Sequence, residues 1–253
     1  MPTETHDKPA IARAFGRAAD SYDRHAALQR ASGARLLEMV ASHRGSQVLD
    51  AGCGTGHFSR RWRQLDKTVT ALDLSSEMLA YAGEQRAAHR YVLGDIENLP
   101  LADGSVDISY SNLAVQWCDD LPRALAELYR VTRPGGAIAF STLADGSLSE
   151  LAQAWRRVDG SRRVNRFLSV PAIRAACRPY RHQLHQEWVT HCFPDVLALL
   201  KSLKGIGATW LHQGRAPGLL SRGRLDALAS GYPRRQEGYP LSYQLIYGVI
   251  YRD

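Results

Sequence analysis

No window of this chain approaches 18 uninterrupted apolar residues, and its first stretch, MPTETHDKPAIARAFG, has neither an apolar core nor a small-residue cleavage site. Neither a membrane-spanning helix nor a secretory signal is expected, and a cytosolic protein is. Cysteine is scarce: the four, at 53, 118, 177 and 192, form no CxxC pair and sit in apolar surroundings. No zinc site or disulfide framework is signalled, so reduced thiols and a metal-free protein are expected. Internal repeats and low-complexity tracts are also missing. A further lack is local. The run Asp107-Ile-Ser-Tyr-Ser-Asn-Leu-Ala-Val-Gln-Trp117 reads as a buried strand opening onto a polar rim, yet it carries no histidine, lysine or acid after Asp107. A general acid or base is absent where one would be sought.

What is present is ordinary in bulk and uneven in charge. With 253 residues, 45% hydrophobic and 23% charged, the chain can bury one large core. Net charge is +7, but residues 1–150 hold 16 Lys/Arg against 19 Asp/Glu, whereas residues 151–253 hold 16 against 6. The C-terminal part is thus basic, which favours a polyanionic partner, either nucleic acid or an acidic protein. A solvated arginine-rich face with no partner would give the same balance.

Short apolar runs alternate with helical ones between residues 47 and 143. Gln47–Ala51, Thr68–Leu74, Tyr91–Gly94, Val106–Ser111 and Ala137–Leu143 read as strands buried on both faces; His57–Leu65, Ser75–Ala88 and Leu121–Val131 read as helices. That β-α-β-α series predicts an α/β fold, a doubly wound and mostly parallel sheet with helices on both sides. Ahead of it, Ile11, Ala14, Phe15, Ala18 and Tyr22 recur at helical spacing, the stripe of an amphipathic arm. Behind it, His182–Phe193 and Leu241–Tyr251 have the composition of an antiparallel pair closing the sheet edge. Between those two, Asp195 caps a helix carrying Val196, Leu199, Leu200 and Leu203, with Lys201 and Lys204 in its last turn, where the helix dipole alone would also explain them. We read a single domain over residues 1–253, with a helical arm at 1–42, a cofactor core at 45–145 and a basic lid or insertion at 195–238.

Val48-Leu-Asp-Ala-Gly-Cys-Gly-Thr-Gly56 ends one strand and opens a helix, the context that makes a glycine-rich loop meaningful. Gly52, Gly54 and Gly56 let backbone approach a ligand and present N–H groups at a helix start. A dinucleotide would bring a pyrophosphate to that loop, and Asp50 would repel it. S-adenosyl-L-methionine, with an α-ammonium, a sulfonium and no phosphate, fits better; a carboxylate satisfied by loop amides is the plainer account of Asp50. Asp73 ends the second strand, where an acid accepts from ribose hydroxyls, and Asp95 ends the third, within reach of an adenine amino group.

These residues resemble the class I methyltransferases that use S-adenosyl-L-methionine. Ala14-Phe-Gly-Arg-Ala-Ala-Asp-Ser-Tyr-Asp23, His25, Leu28-Gln-Arg30, Ser111-Asn-Leu-Ala-Val-Gln-Trp-Cys118, Asn165-Arg-Phe-Leu168, Leu203-Lys-Gly-Ile-Gly-Ala-Thr209 and Tyr239-Pro-Leu-Ser-Tyr243 narrow the resemblance to the malonyl-acyl-carrier-protein O-methyltransferase family of biotin synthesis. It covers essentially the whole chain. The resemblance implies a seven-stranded Rossmann-like sheet, and a cofactor held by Asp50, Gly52, Gly54, Asp73, Leu74, Met78, Asp95, Ile96 and Asn112. It also implies Tyr22 folding over that cofactor and Arg30 on its methionine carboxylate. Its expected partner is an acidic acyl carrier protein bearing malonyl-phosphopantetheine, with no nucleic acid or membrane bound, and the chain is expected to be a monomer. Asp119-Asp120 departs from the pattern, because acids there do not suit an acidic partner.

A malonyl carboxylate, with a pKa of roughly 3–4, is ionised near neutrality and requires no base. The rim must then position it, which assigns catalytic roles to Tyr22, Gln116 and Trp117, while Arg166, Lys201, Lys204 or Arg215 pairs with the acceptor carboxylate or the carrier's arm. A nucleic-acid methyltransferase would also use a basic half, but the fourth strand lacks the Asn/Asp-Pro-Pro-aromatic loop that grips a base and there is no catalytic cysteine motif. A small-molecule methyltransferase acting on a quinone or a free acid is the other enzyme reading, and a non-catalytic cofactor-binding regulator the remaining one.

Overall fold

The computed structural model describes residues 7–208 and 221–253. Three helices lead: α1 (Lys8–Gly16), α2 (Ala19–His25) and α3 (Ala27–Val40). The alternating core follows as β1 (Gln47–Ala51), α4 (His57–Gln64), β2 (Thr68–Asp73), α5 (Ser76–Glu84), β3 (Arg90–Leu93), β4 (Val106–Asn112), α6 (Leu121–Val131) and β5 (Thr132–Leu143). The rest of the chain adds α7 (Ser149–Asp159), α8 (Val170–Cys177), β6 (Arg181–Phe193), α9 (Val196–Gly205), α10 (Arg222–Gly231) and β7 (Tyr239–Tyr251).

All strands join one seven-stranded sheet in the order β3-β2-β1-β4-β5-β7-β6. Pairings from β3 to β5 are parallel, and β7 runs antiparallel to both β5 and β6. The strand order reverses between β1 and β4, so loops leaving their carboxyl ends diverge and open a crevice, the usual ligand position in such sheets.

Side chains alternate across each strand, which sends them to two cores. Val48, Tyr110, Ala139 and Tyr247 pack on one face with Leu36, Trp62 and Trp155; Leu49, Ile138, Phe140 and Ile246 pack on the other with Leu125, Leu128 and Ile173. Burial on both faces explains the near-continuous apolar runs of these strands. Each fully buried Leu, Ile or Phe contributes about 1.5–3 kcal/mol, so this sandwich is the main source of stability.

Several sequence expectations need adjusting. The arm's stripe is two helices, because the chain turns after Gly16, a residue that weakens a helix interior. The helix read as Ser75–Ala88 stops at Glu84, and Arg86 adopts a positive φ of 50° just beyond it. Helix α3 falls inside the expected helical arm at 1–42 but beyond its stripe, α7 and α8 lie outside every expected helix, and β5 begins at Thr132, five residues before the expected Ala137. Part of the expected lid, residues 209–220, and with it Arg215 and Thr209, lies outside the described residues. Among the described residues no helix is long and apolar enough to cross a membrane.

Candidate active site

The glycine-rich loop connects β1 to α4 at the crevice. Gly52 has φ +78°, and a Cβ there would stand 2.3 Å from the Ala114 Cβ, so packing against the β4 loop requires glycine. Gly54 has φ +53° and would place a Cβ in open space. The two glycines therefore serve different ends: one closes the loop onto its neighbour, the other leaves room and an approachable backbone for a ligand.

Two clefts flank this loop and share Tyr22, Gly52, Gly54 and Asn112, so they form one trough. One limb, about 680 Å³ counted with its open mouth, carries Asp73, Leu74, Met78, Asp95 and Ile96. The other carries Arg30, Asp50 and Cys53. Every residue expected to hold the cofactor lies on this trough. Asp73 accepts from Gly54 N at 2.8 Å and from Ser75 N at 2.9 Å, which fixes the carboxylate while leaving lone pairs for a hydroxylated ligand. Met78 is buried in the first turn of α5, which Ser75 caps.

The trough is acidic. Burial pushes the Asp50 carboxyl up to about 7, Ser59 Oγ donating to it at 2.6 Å pulls the other way, and the charge of Asp73 adds to the rise. Burial also raises Asp73, against the hydrogen bonds from Ser75 and Gly54. Two carboxyls held above their usual range in one enclosure ionise more readily when a cation enters beside them. The α-ammonium and sulfonium of S-adenosyl-L-methionine supply that charge, and the open space at Gly54 supplies the room, so the donor set fits that group.

The arm forms the roof. Phe15 meets Trp117 edge-on at 5.3 Å between ring centroids and lies 6.5 Å from Tyr22. Burial raises the Tyr22 hydroxyl well above the tyrosine range, reinforced by Asp73 and Asp23, so it stays protonated. Lys8, unanticipated from the sequence, reaches Asp95 at 2.5 Å, bonds Glu97 and lies 4.0 Å from Asp119. Glu97 is buried and accepts from Asp119 N and Asp120 N at 2.9 and 2.8 Å. One lysine thereby ties the arm to the loops after β3 and β4. Only a charge so far from the core in sequence, with no periodic pattern around it, marks Lys8, which is why spacing could not find it.

Other expected residues fall differently. Asn112 faces the trough but is a brace: its Oδ1 accepts from Ser32 Oγ and Ser141 Oγ, both at 2.8 Å, and its Nδ2 donates to Gln29 O at 2.9 Å. Gln116 does not line the trough, a correction to the expected wall of Gln116 and Trp117. The chain from Val115 to Trp117 is a 3-10 turn, whose three residues per turn send neighbours to different sides. Arg30 lines the Asp50 limb and donates to Asp23 O. Lys201 and Lys204 are exposed on α9, and Arg166 is exposed in the loop before α8; none of the three lines the trough.

Residues 49–140 match the methyltransferase domain family. Over its full length the chain is 73% identical to a protein named malonyl-[acyl-carrier protein] O-methyltransferase from Pectobacterium atrosepticum, covering 100% of both. It is 63% identical to the protein of that name from Serratia marcescens, covering 99% of this chain and 98% of that one. Among solved structures, a putative methyltransferase from Bacillus halodurans superposes with a TM-score of 0.63 at 17% identity, covering 88% of this chain and 100% of that one, which shows the fold.

Proposed function

The chain belongs to the malonyl-[acyl-carrier protein] O-methyltransferase family, and on that premise we propose that it transfers a methyl group from S-adenosyl-L-methionine to the free carboxylate of malonyl-acyl-carrier protein, giving the malonyl methyl ester. When bound, the cofactor supplies an electrophilic methyl on a sulfonium. The trough residues hold it: Asp73 for the ribose, Asp95 for the adenine, Met78 and Ile96 for the apolar faces, Asp50 and Arg30 for the methionine end.

The observation that carries this reading is the lack of a base under the roof. Tyr22, Asn112 and Trp117 there take up no proton near neutrality, burial keeping Tyr22 protonated, while Asp50 and His57 lie on the other limb with Arg30. Only an acceptor that arrives ionised suits such a rim, and a carboxylate does. What remains is orientation and water exclusion, which the Phe15–Tyr22–Trp117 roof provides.

Residues 151–253 hold 16 Lys/Arg against 6 Asp/Glu, and the exposed Lys201 and Lys204 give an acidic carrier a docking edge on α9. Under this reading the protein acts as a monomer in the cytoplasm and binds neither nucleic acid nor membrane. Labelled S-adenosyl-L-methionine incubated with malonyl-carrier, malonyl-CoA, free malonate and bulk RNA tests it. Label should enter the malonyl thioesters; label only in RNA, or in no acyl substrate, would sink the proposal. Rescue of a biotin-requiring strain checks the same claim in cells.

A further inference from the structure

A second cavity lies beside the trough, lined by α2, α3, α9 and the ends of β6 and β7, and measures about 550 Å³ counted with its open mouth. Gln29 lines both spaces and is the wall they share. Its backbone carbonyl is taken by Asn112 Nδ2, but its side-chain Oε1 is buried without a hydrogen-bond partner among the described residues. The unpartnered oxygen is an acceptor and suits a donor on a guest, such as an amide N–H of the arm, while the Nε2 of the same amide offers two donors to an anion.

The two spaces are opposite in charge. Four aspartates, Asp23, Asp50, Asp73 and Asp95, line the trough against two cations, Lys8 and Arg30, whereas no acid lines the cavity among the described residues; Arg24, His25 and His191 do. Burial lowers the pKa of His191, so near neutrality it is a neutral hydrogen-bonding group. Leu28, Phe193, Leu203 and Ile206 make the remaining wall apolar. On α9, Ser202 and Leu203 face the cavity while Lys201 and Lys204 are exposed beside them. The His25 ring lies so close to Gly205 that a Cβ there would stand 2.1 Å from it, so the glycine lets α9 approach α2 and form this wall.

We propose that this cavity receives the acyl end of the carrier's phosphopantetheine arm, with the Gln29 amide holding the malonyl carboxylate at the boundary with the cofactor trough. The inference rests on the function proposed above and locates its acceptor. Anion and cation then meet across one side chain, with the arm's amides and methyl groups against the mixed wall and its protein end at the α9 lysines.

The test uses the full-length enzyme with two acceptors, malonyl-carrier and malonyl-pantetheine thioester, which has the arm without the protein. Ser202→Trp fills the cavity and Gln29→Leu removes the amide at similar volume. Each should lower kcat/KM for both acceptors at least tenfold, with the dissociation constant for S-adenosyl-L-methionine changed less than threefold and the thermal midpoint retained. Normal turnover of both acceptors by both variants overturns the proposal, as does cofactor affinity that falls in step with activity. Should the wild-type enzyme methylate neither acceptor, the function itself is wrong and this site falls with it.

Discussion

The sheet has two unlike halves. Between β1 and β4 the strand ends deliver aspartates to a glycine loop, and nearly every group there was readable from local spacing. Beyond β5 the partner strand is antiparallel, the charge is basic, and the polar groups around the second cavity come from α2, α3, β6, α9 and β7 together. Most of the trough's acids and glycines come from one run of the chain, residues 50–95, whereas the second cavity is lined by segments as far apart as residues 24 and 243. Motif reading therefore succeeds on the first half and weakens on the second.

That contrast can be broken by experiment. Asp73→Ala should weaken S-adenosyl-L-methionine by about 100-fold by calorimetry, since hydrogen bonds to a charged group contribute ~1.5–3 kcal/mol each and the loop amide loses its anchor too. Lys201→Glu with Lys204→Glu should raise KM for malonyl-carrier by about thirtyfold through like-charge repulsion, more at low salt, with cofactor affinity unchanged. An equal loss with malonyl-pantetheine would place the carrier elsewhere.

Asp50 gives a pH signature. Between the ordinary 3.8 and about 7, the folded chain keeps a proton on Asp50 that the unfolded chain has released. Stability without cofactor should thus fall as pH rises through that window, and Asp50→Asn should flatten this slope in a thermal-melt series, leaving the part that Asp73, also raised by burial, contributes. A cationic cofactor must displace the proton, so its affinity should be roughly tenfold weaker at pH 6 than at its plateau above 7. Smallest is the arm's tie: Lys8→Met should raise the cofactor dissociation constant about threefold, because the ion pair is partly solvated.

Much of the fold was legible because strands buried on both faces leave continuous apolar runs, and Leu121–Val131 was read to the residue. Within the helical arm expected at 1–42, α3 gave no stripe of its own because it carries Ser32, Gly33 and Arg35 within its span, and α7 and α8 lay outside every expected helix. In the site, Asp50, Asp73 and Asp95 stood out because strand ends are identifiable positions. Gln116 was misplaced because adjacency in sequence does not survive a 3-10 turn, and Gln29 carried no signal beyond its neighbours.

By itself, then, the sequence determined the parallel core, the glycine loop and the acids at three strand ends, since these follow from periodicity and from what glycine and carboxylates can do locally. Only the tertiary structure decided which groups meet across the chain: Lys8 on Asp95, Phe15 over Trp117, and Gln29 between an acidic trough and a basic cavity. Those contacts depend on how helices dock on the sheet, a long-range packing outcome that no local pattern encodes.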